Sequence, residues 1–251
     1  KAELKKVDAS LGDVLHQVGN TLKAVLESYR FQTFGEYSAL LSTLNIEAKQ
    51  IRGEYNGIPY TGIVYSATDD TGKVVSPPFK SSRFGKRFGN ELLEKRMLMN
   101  LKALKEGKWT PSIQADIVRA LRQADSQKRF VELLGQRRID VVFRKNEQGR
   151  IYGVTFIDHN HREVFNGSRM GKVFSANVFN DYFKWLENIP EKERGGHSAT
   201  ELRQHHRHES GSTLELAAGI LSMETNPRDY EEEAFARRMK KKKKTGRKRG
   251  I

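Results

Sequence analysis

Two segments of the chain repeat one arrangement of groups suited to phosphate. Ser82-Arg83-Phe84-Gly85-Lys86-Arg87-Phe88 and Ser168-Arg169-Met170-Gly171-Lys172-Val173-Phe174 share the pattern Ser-Arg-x-Gly-Lys-x-Phe. Each follows strand-like sequence and precedes helix-like sequence. A glycine turn that opens a helix presents unpaired backbone N–H groups and the positive end of the helix dipole, which suits an anion. Arg83, Lys86, Arg87, Arg169 and Lys172 add charge there. The pattern fits a contact to a nucleic-acid backbone made twice. It also fits a duplicated structural turn, with glycine at positive φ and the cations in water. Nucleotide binding by Gly167 to Lys172 is not expected, because the spacing between its glycines is one residue short of a P-loop and Lys172 is followed by valine.

Other reactive side chains give less. His205, His206 and His208 with Glu209 lie in polar sequence without helix or strand periodicity, so no metal site is expected there. His159 and His161 flank a tight turn beside Asp158 and read as solvated turn residues. No serine or tyrosine stands in a glycine elbow, and no close carboxylate pair falls on an apolar face, so no catalytic residue is assigned. Tyr29-Arg30-Phe31, Arg83-Phe84 and Lys86-Arg87-Phe88 interleave aromatic with basic residues. If exposed, such rings stack on single-stranded bases; otherwise they are core.

Charge is unevenly placed. The 251 residues carry a formal charge of +14. Arg237, Arg238, Lys240, Lys241, Lys242, Lys243, Lys244, Arg247, Lys248 and Arg249 supply ten of the 45 basic residues, leaving 35 against 31 acidic ones in the remainder. The body is therefore mildly basic and the end strongly so. A run of like charge repels itself, so this tail is expected to stay disordered until a polyanion neutralises it. Cysteine is absent, which excludes disulfides and cysteine-based metal sites and suits a cytoplasmic location. No apolar run approaches a membrane span. The opening Lys1-Ala2-Glu3-Leu4-Lys5 resembles no signal peptide and reads as the interior of a longer protein.

The elements that must hold the glycine turns come in two similar sets. Leu11, Val14, Leu15, Val18, Leu22, Val25, Leu26 and Tyr29 form one helical stripe, with Ser10 and Asp13 as its start. Thr33 caps a second helix, closed by Glu36. Strands are expected at Ile46 to Ile51, Tyr60 to Ala67 and Lys73 to Val75. Asn90 to Lys105 is helical. The same order returns after Trp109, with helices around Ile113, Ile117, Leu121 and then Phe130, Leu133, Leu134. Strands follow at Ile139 to Arg144, Arg150 to Ile157 and Arg162 to Phe165, and a last helix from Phe174 to Leu186. Leu40-Leu41 aligns with Leu133-Leu134, Ile46 with Ile139, and Gly62-Ile63-Val64-Tyr65 with Gly153-Val154-Thr155-Phe156. These are collinear with the paired glycine turns and predict a duplication. The fold class is α+β: two related helix–helix–β-meander–helix units, residues 1–108 and 109–189, followed by a largely disordered basic tail, 190–251, with short helical islands.

The same residues carry a family resemblance. Phe34-Gly35-Glu36-Tyr37 through Leu44, Gly62-Ile63-Val64-Tyr65, Val142-Phe143-Arg144 and Gly149 through Asp158 resemble the region downstream of the nuclease domain in MobB-type mobilisation relaxases. Phe165-Asn166-Gly167-Ser168-Arg169-Met170-Gly171-Lys172-Val173-Phe174-Ser175-Ala176 is similar to an Asn-Gly-Ser-x-x-Gly-Lys-x-[Phe/Tyr]-Ser block found there. The resemblance covers residues 5–186 and the basic tail. It implies DNA as partner, at a transfer origin, single- or double-stranded, with a coupling protein and relaxosome accessory proteins as further partners. The family's nuclease uses a tyrosine and a divalent metal held by a His-rich motif. That motif is absent here, so no cofactor is expected for this chain. The implied function is a DNA-binding accessory region. A protein-interaction module, docking through Leu214 to Met223, and a complete strand-nicking enzyme stand as alternatives.

Overall fold

Local chemistry sets the helix starts. Thr33 Oγ1 accepts from the Glu36 amide while the Glu36 carboxylate accepts from the Thr33 amide, a reciprocal capping box that opens α2 (Phe34–Ser42). Helix α1 (Val14–Ser28) begins differently from the sequence expectation. Asp13, not Ser10, is its cap and accepts from the His16 amide, while Asp8 caps a separate short turn over Ala9–Leu11. Leu11 therefore leaves the apolar stripe and stands 78% exposed. The computed structural model of the chain describes residues 4–106 and 113–188. The polybasic segment, His205 to Glu209 and the 214–223 island lie outside them.

Strands β1 (Ile46–Tyr55) and β2 (Ile58–Ala67) form a long antiparallel hairpin, and β3 (Phe79–Lys80) adds beside β2. The hairpin turns at Asn56-Gly57, with φ of 50° and 75°, the pair of left-handed residues a two-residue turn requires. Lys73 to Val75 makes only an isolated bridge, Val74 to Thr68, rather than a strand; Asp69 folds the segment into a turn by accepting from the Thr71 and Lys73 amides. After α3 (Asn90–Lys105), α4 (Gln114–Gln123) and α5 (Gln127–Gly135), a second meander follows: β4 (Ile139–Lys145), β5 (Ile151–Asp158) and β6 (Glu163–Asn166). A short α6 (Gly167–Met170) leads to α7 (Ala176–Asn188).

The chain is thus α+β, with two three-stranded antiparallel sheets and the same element order in each half. The compact units cut across that repeat. Of the described residues, 4–106 belong with 134–180, and 113–133 with 181–188. In the first unit a core of Val18, Leu22, Val25, Tyr29, Phe31, Tyr37, Leu40 and Tyr65 extends to Ile157 and Val164 of the second sheet. The reason is the link between α1 and α2. Arg30 pairs with Glu163 through backbone and side chain, and Gln32 donates to the Val164 carbonyl. The first copy's helices so serve both sheets. In the second unit, among the described residues, Ile117, Val118 and Leu121 are buried, Phe130 packs on Phe183, and Tyr182 donates to the Leu121 carbonyl at 2.9 Å.

Candidate nucleic-acid interface

The paired glycine segments adopt one conformation. Gly85 and Gly171 stand at φ 110° and 145°, each followed by a three-residue turn, Lys86–Phe88 or Lys172–Phe174, and then by α3 or α7. Phe88 and Phe174 are buried in both. The duplicated turn is therefore a structural unit that two sequence positions share. Its cations have different fates. Arg169 lies 3.7 Å from Glu36, a carboxylate with no exposed surface. Burial pushes Glu36 up from the usual carboxylate range, opposed by amide hydrogen bonds from Asn166, Gln32 and Thr33 and by the Arg169 charge. Arg169, itself exposed, thus also offsets the charge of an internal acid. Its counterpart Arg83 is exposed and lies 5.8 Å over the Phe79 ring. Lys86 and Lys172 are exposed. Arg87 lies 3.8 Å from Glu27 and stacks over Phe88 at 5.0 Å. The structure brings Arg83, Lys86 and Arg87 together at one turn and Arg169 and Lys172 at the other. Arg237 to Arg249 lie outside the described residues. The interleaved aromatics Tyr29, Phe31 and Phe88 are core.

Sequence reasoning missed the neighbouring surface. Side chains alternate along a strand, and directly paired residues share a face. On β1 and β2, Ile46, Ala48, Ile63, Tyr65 and Ala67 face the core. The opposite face carries Lys49 paired with Val64, Ile51 with Gly62, Gly53 with Tyr60, and Tyr55 with Ile58. Lys80 joins that face through its pairing with Val64. Four large apolar residues there stay in water: Ile51 44%, Tyr55 73%, Ile58 69% and Tyr60 53% exposed. Tyr60 lies flat against Gly53, where a Cβ would fall 2.7 Å from ring atoms, so this glycine makes room for the ring. The result is an aromatic ribbon with Lys49 and Lys80 exposed toward its base and Arg83 exposed on the turn that follows β3. Glu47, which pairs with Lys49 at 2.8 Å, is the one acid on this face of the sheet. The legible hint was the period-two pattern Ile51, Gly53, Tyr55 opposite Ile58, Tyr60, Gly62, which a reading in search of buried strands passes over.

Elsewhere, His159 is partly buried and hydrogen bonded on both ring nitrogens, to Tyr29 and Asp140, which corrects its reading as a solvated turn residue. His161 is the exposed member of that turn, 2.6 Å from the buried Asp158 carboxylate. That hydrogen bond raises the imidazole above its ordinary value. Among the described residues no group of His, Asp or Glu is gathered to hold a metal, and no helix is long and apolar enough to cross a membrane.

No family model, curated protein or solved structure matches the chain.

Proposed function

We propose that this chain is a DNA-binding accessory region of the relaxase type resembled by its sequence, acting in the cytoplasm at a transfer origin. The open face of the first sheet carries the reading: two exposed tyrosine rings stand beyond Lys49 and Lys80, with Arg83 and Lys86 on the adjoining turns. Single strands are bound by this combination, bases on aromatic faces and phosphates on cations. The basic tail adds affinity without sequence preference, since every neutralised phosphate releases counterions. The strand preferred is single, because a stacking platform needs an unpaired base face.

The test is binding of the full chain to an oligo-dT strand and to an abasic strand of equal length and charge. Stacking predicts that the abasic strand binds more weakly, and that Tyr55→Ala with Tyr60→Ala removes the difference. Lys80→Glu with Arg83→Glu weakens both strands and lowers the salt slope by roughly 0.7 per lost contact. Equal binding of the two strands removes the platform from the reading, and no binding of either removes DNA.

A second reading rests on the other sheet. There the corresponding face accepts the acid-capped start of α2, with Glu36 bonded to the Asn166 amide and facing Arg169. Lys80 and Arg83 align with Asn166 and Arg169. The open face would then take a partner protein's helix that carries a carboxylate in its first turn. Capture of a helical peptide with a Thr-x-x-Glu start, abolished by Arg83→Glu and unaffected by oligo-dT competition, supports this reading over the first.

A further inference from the structure

A cleft in the first unit is lined by Leu4, Tyr29, Arg138, His159 and Arg162. Its two arginines stand in left-handed backbone, Arg138 at φ 59° and Arg162 at φ 58°. That conformation disfavours any side chain with a Cβ, and asparagine and glycine adopt it most readily. The duplication shows what the fold alone would choose. The position before β1 is Asn45, at φ 60°, where the second copy has Arg138 before β4. The turn after β2 also contains a left-handed residue, Gly72 at φ 84°, and the turn after β5 contains Arg162. At the aligned position, then, the second copy holds an arginine where the first holds the residue that fits; the β5–β6 turn holds another, and both arginines line one cleft. Strained backbone of this kind clusters at ligand sites.

The surrounding hydrogen bonds aim one of these arginines. Burial raises the Tyr29 hydroxyl, which stays protonated. It donates to His159 Nδ1 at 2.6 Å, and His159 Nε2 donates to Asp140 at 2.9 Å. The Tyr29 oxygen in turn accepts from Arg162 at 3.4 Å, and the Arg162 guanidinium lies 5.3 Å from the Tyr29 ring. Both imidazole nitrogens and the hydroxyl proton are used within the chain. This leaves the guanidiniums as the groups that face a ligand. Among the described residues no carboxylate lines the cleft. Paired guanidinium forks match the oxygens of a phosphate bidentately.

We propose that this cleft is a phosphate site, with Arg138 and Arg162 as binding residues and Asp140, His159 and Tyr29 as positioning residues. The ligand is a phosphate group with free oxygens, either the terminal phosphate of a nucleic-acid strand or the free ion. The site is separate from the open face of the first sheet and stands or falls without it.

Calorimetric titration of the full chain with inorganic phosphate tests it, beside two oligo-dT strands that differ only in a terminal phosphate. The decisive variant is Arg138→Gly with Arg162→Gly. Glycine relieves the backbone at both positions, so this protein melts at a higher temperature than the parent, and lost binding cannot be assigned to unfolding. Phosphate affinity falls by at least about tenfold in it, as for loss of a charge-assisted fork. Tyr29→Phe weakens phosphate in the parent and has no further effect in the glycine pair, which a merely structural tyrosine would not show. A preference for the phosphorylated strand that disappears in the glycine pair names the strand end as source; equal binding of both strands, with inorganic phosphate still bound, names the free ion. Phosphate that fails to titrate, or that binds the glycine pair as well as the parent, overturns the proposal.

Discussion

The two sheets share topology and pairing, yet one is covered on both faces and the other on one. In the second sheet every β5 residue except Tyr152 is buried. Phe156 packs on Phe179 of α7, while Thr155, Ile157 and Val164 face the first copy's Tyr29-to-α2 segment. In the first sheet the face equivalent to Thr155 and Ile157 carries Val64, Ile51, Tyr60 and Tyr55, the last three exposed. The second copy differs at the matching cap. Arg129 takes the place of Glu36 in α5, capped by Ser126 as Glu36 is by Thr33. One copy's outer face thus serves as an internal joint, and the other's stays in water.

Substitutions at matched positions should separate the two roles. The largest difference is expected at the start of α6. A Cβ on Gly167 would lie 2.0 Å from the Phe174 carbonyl oxygen and 2.7 Å from Val154, whereas the aligned residue of the first copy is Ser81. Gly167→Ala should lower the urea-unfolding free energy by more than about 3 kcal/mol, and Ser81→Ala should change it little. A mild effect of the glycine change would mean that the covered sheet is less tightly held than its geometry requires. Next is the joint. Glu36→Gln places an amide among N–H donors from Gln32, Thr33 and Asn166 and should cost about 1–3 kcal/mol, while Arg129→Ala should be nearly neutral. Because the Glu36 carboxyl is raised when folded, its ionisation opposes folding. That penalty is present at neutral pH and fades as pH falls through the folded value toward 4.5.

On the open face, Tyr55→Ala and Tyr60→Ala should each weaken oligo-dT binding by about 1–3 kcal/mol and leave thermal unfolding nearly unchanged, whereas Tyr152→Ala on the second hairpin should leave binding intact. The smallest effect is at His161. Its raised value means that the contact with Asp158 stabilises the fold fully below about 6.5 and is lost as pH climbs through the folded value. The side chain is 57% exposed, so the loss should be under about 1 kcal/mol, and His161→Asn should flatten the stability profile across that window.

Much of this fold was legible. The Thr33–Glu36 box, the span of α3 and the repeated order of elements followed from caps, periodicity and collinear matches. Those are local quantities, and neighbours in sequence decide them. The joint was not legible, because Glu36 and Asn166 meet across 130 residues, and a buried glutamate inside a capping box looks like any other. Tyr29, His159 and Asp140 were invisible as a group for the same reason. The open face failed differently. Its residues alternate as they should for a strand, but which side is left bare depends on what packs from elsewhere in the chain. Among the candidate cations, sequence treated Arg83 and Arg169 alike, and only the buried partner of Arg169 tells them apart.

The joint also orders events in time. A ribosome releases Glu36 long before Asn166, so the first copy emerges with its anchoring carboxylate in water and the seat for it unwritten. The helices of that copy can close over their own sheet at once, since those contacts are near in sequence. The second sheet has to condense against a surface already made. Stalled chains that end before Asn166 should accordingly hold a folded first sheet and an idle α2 start, with the final locking step set by one strand finding a helix cap already in place.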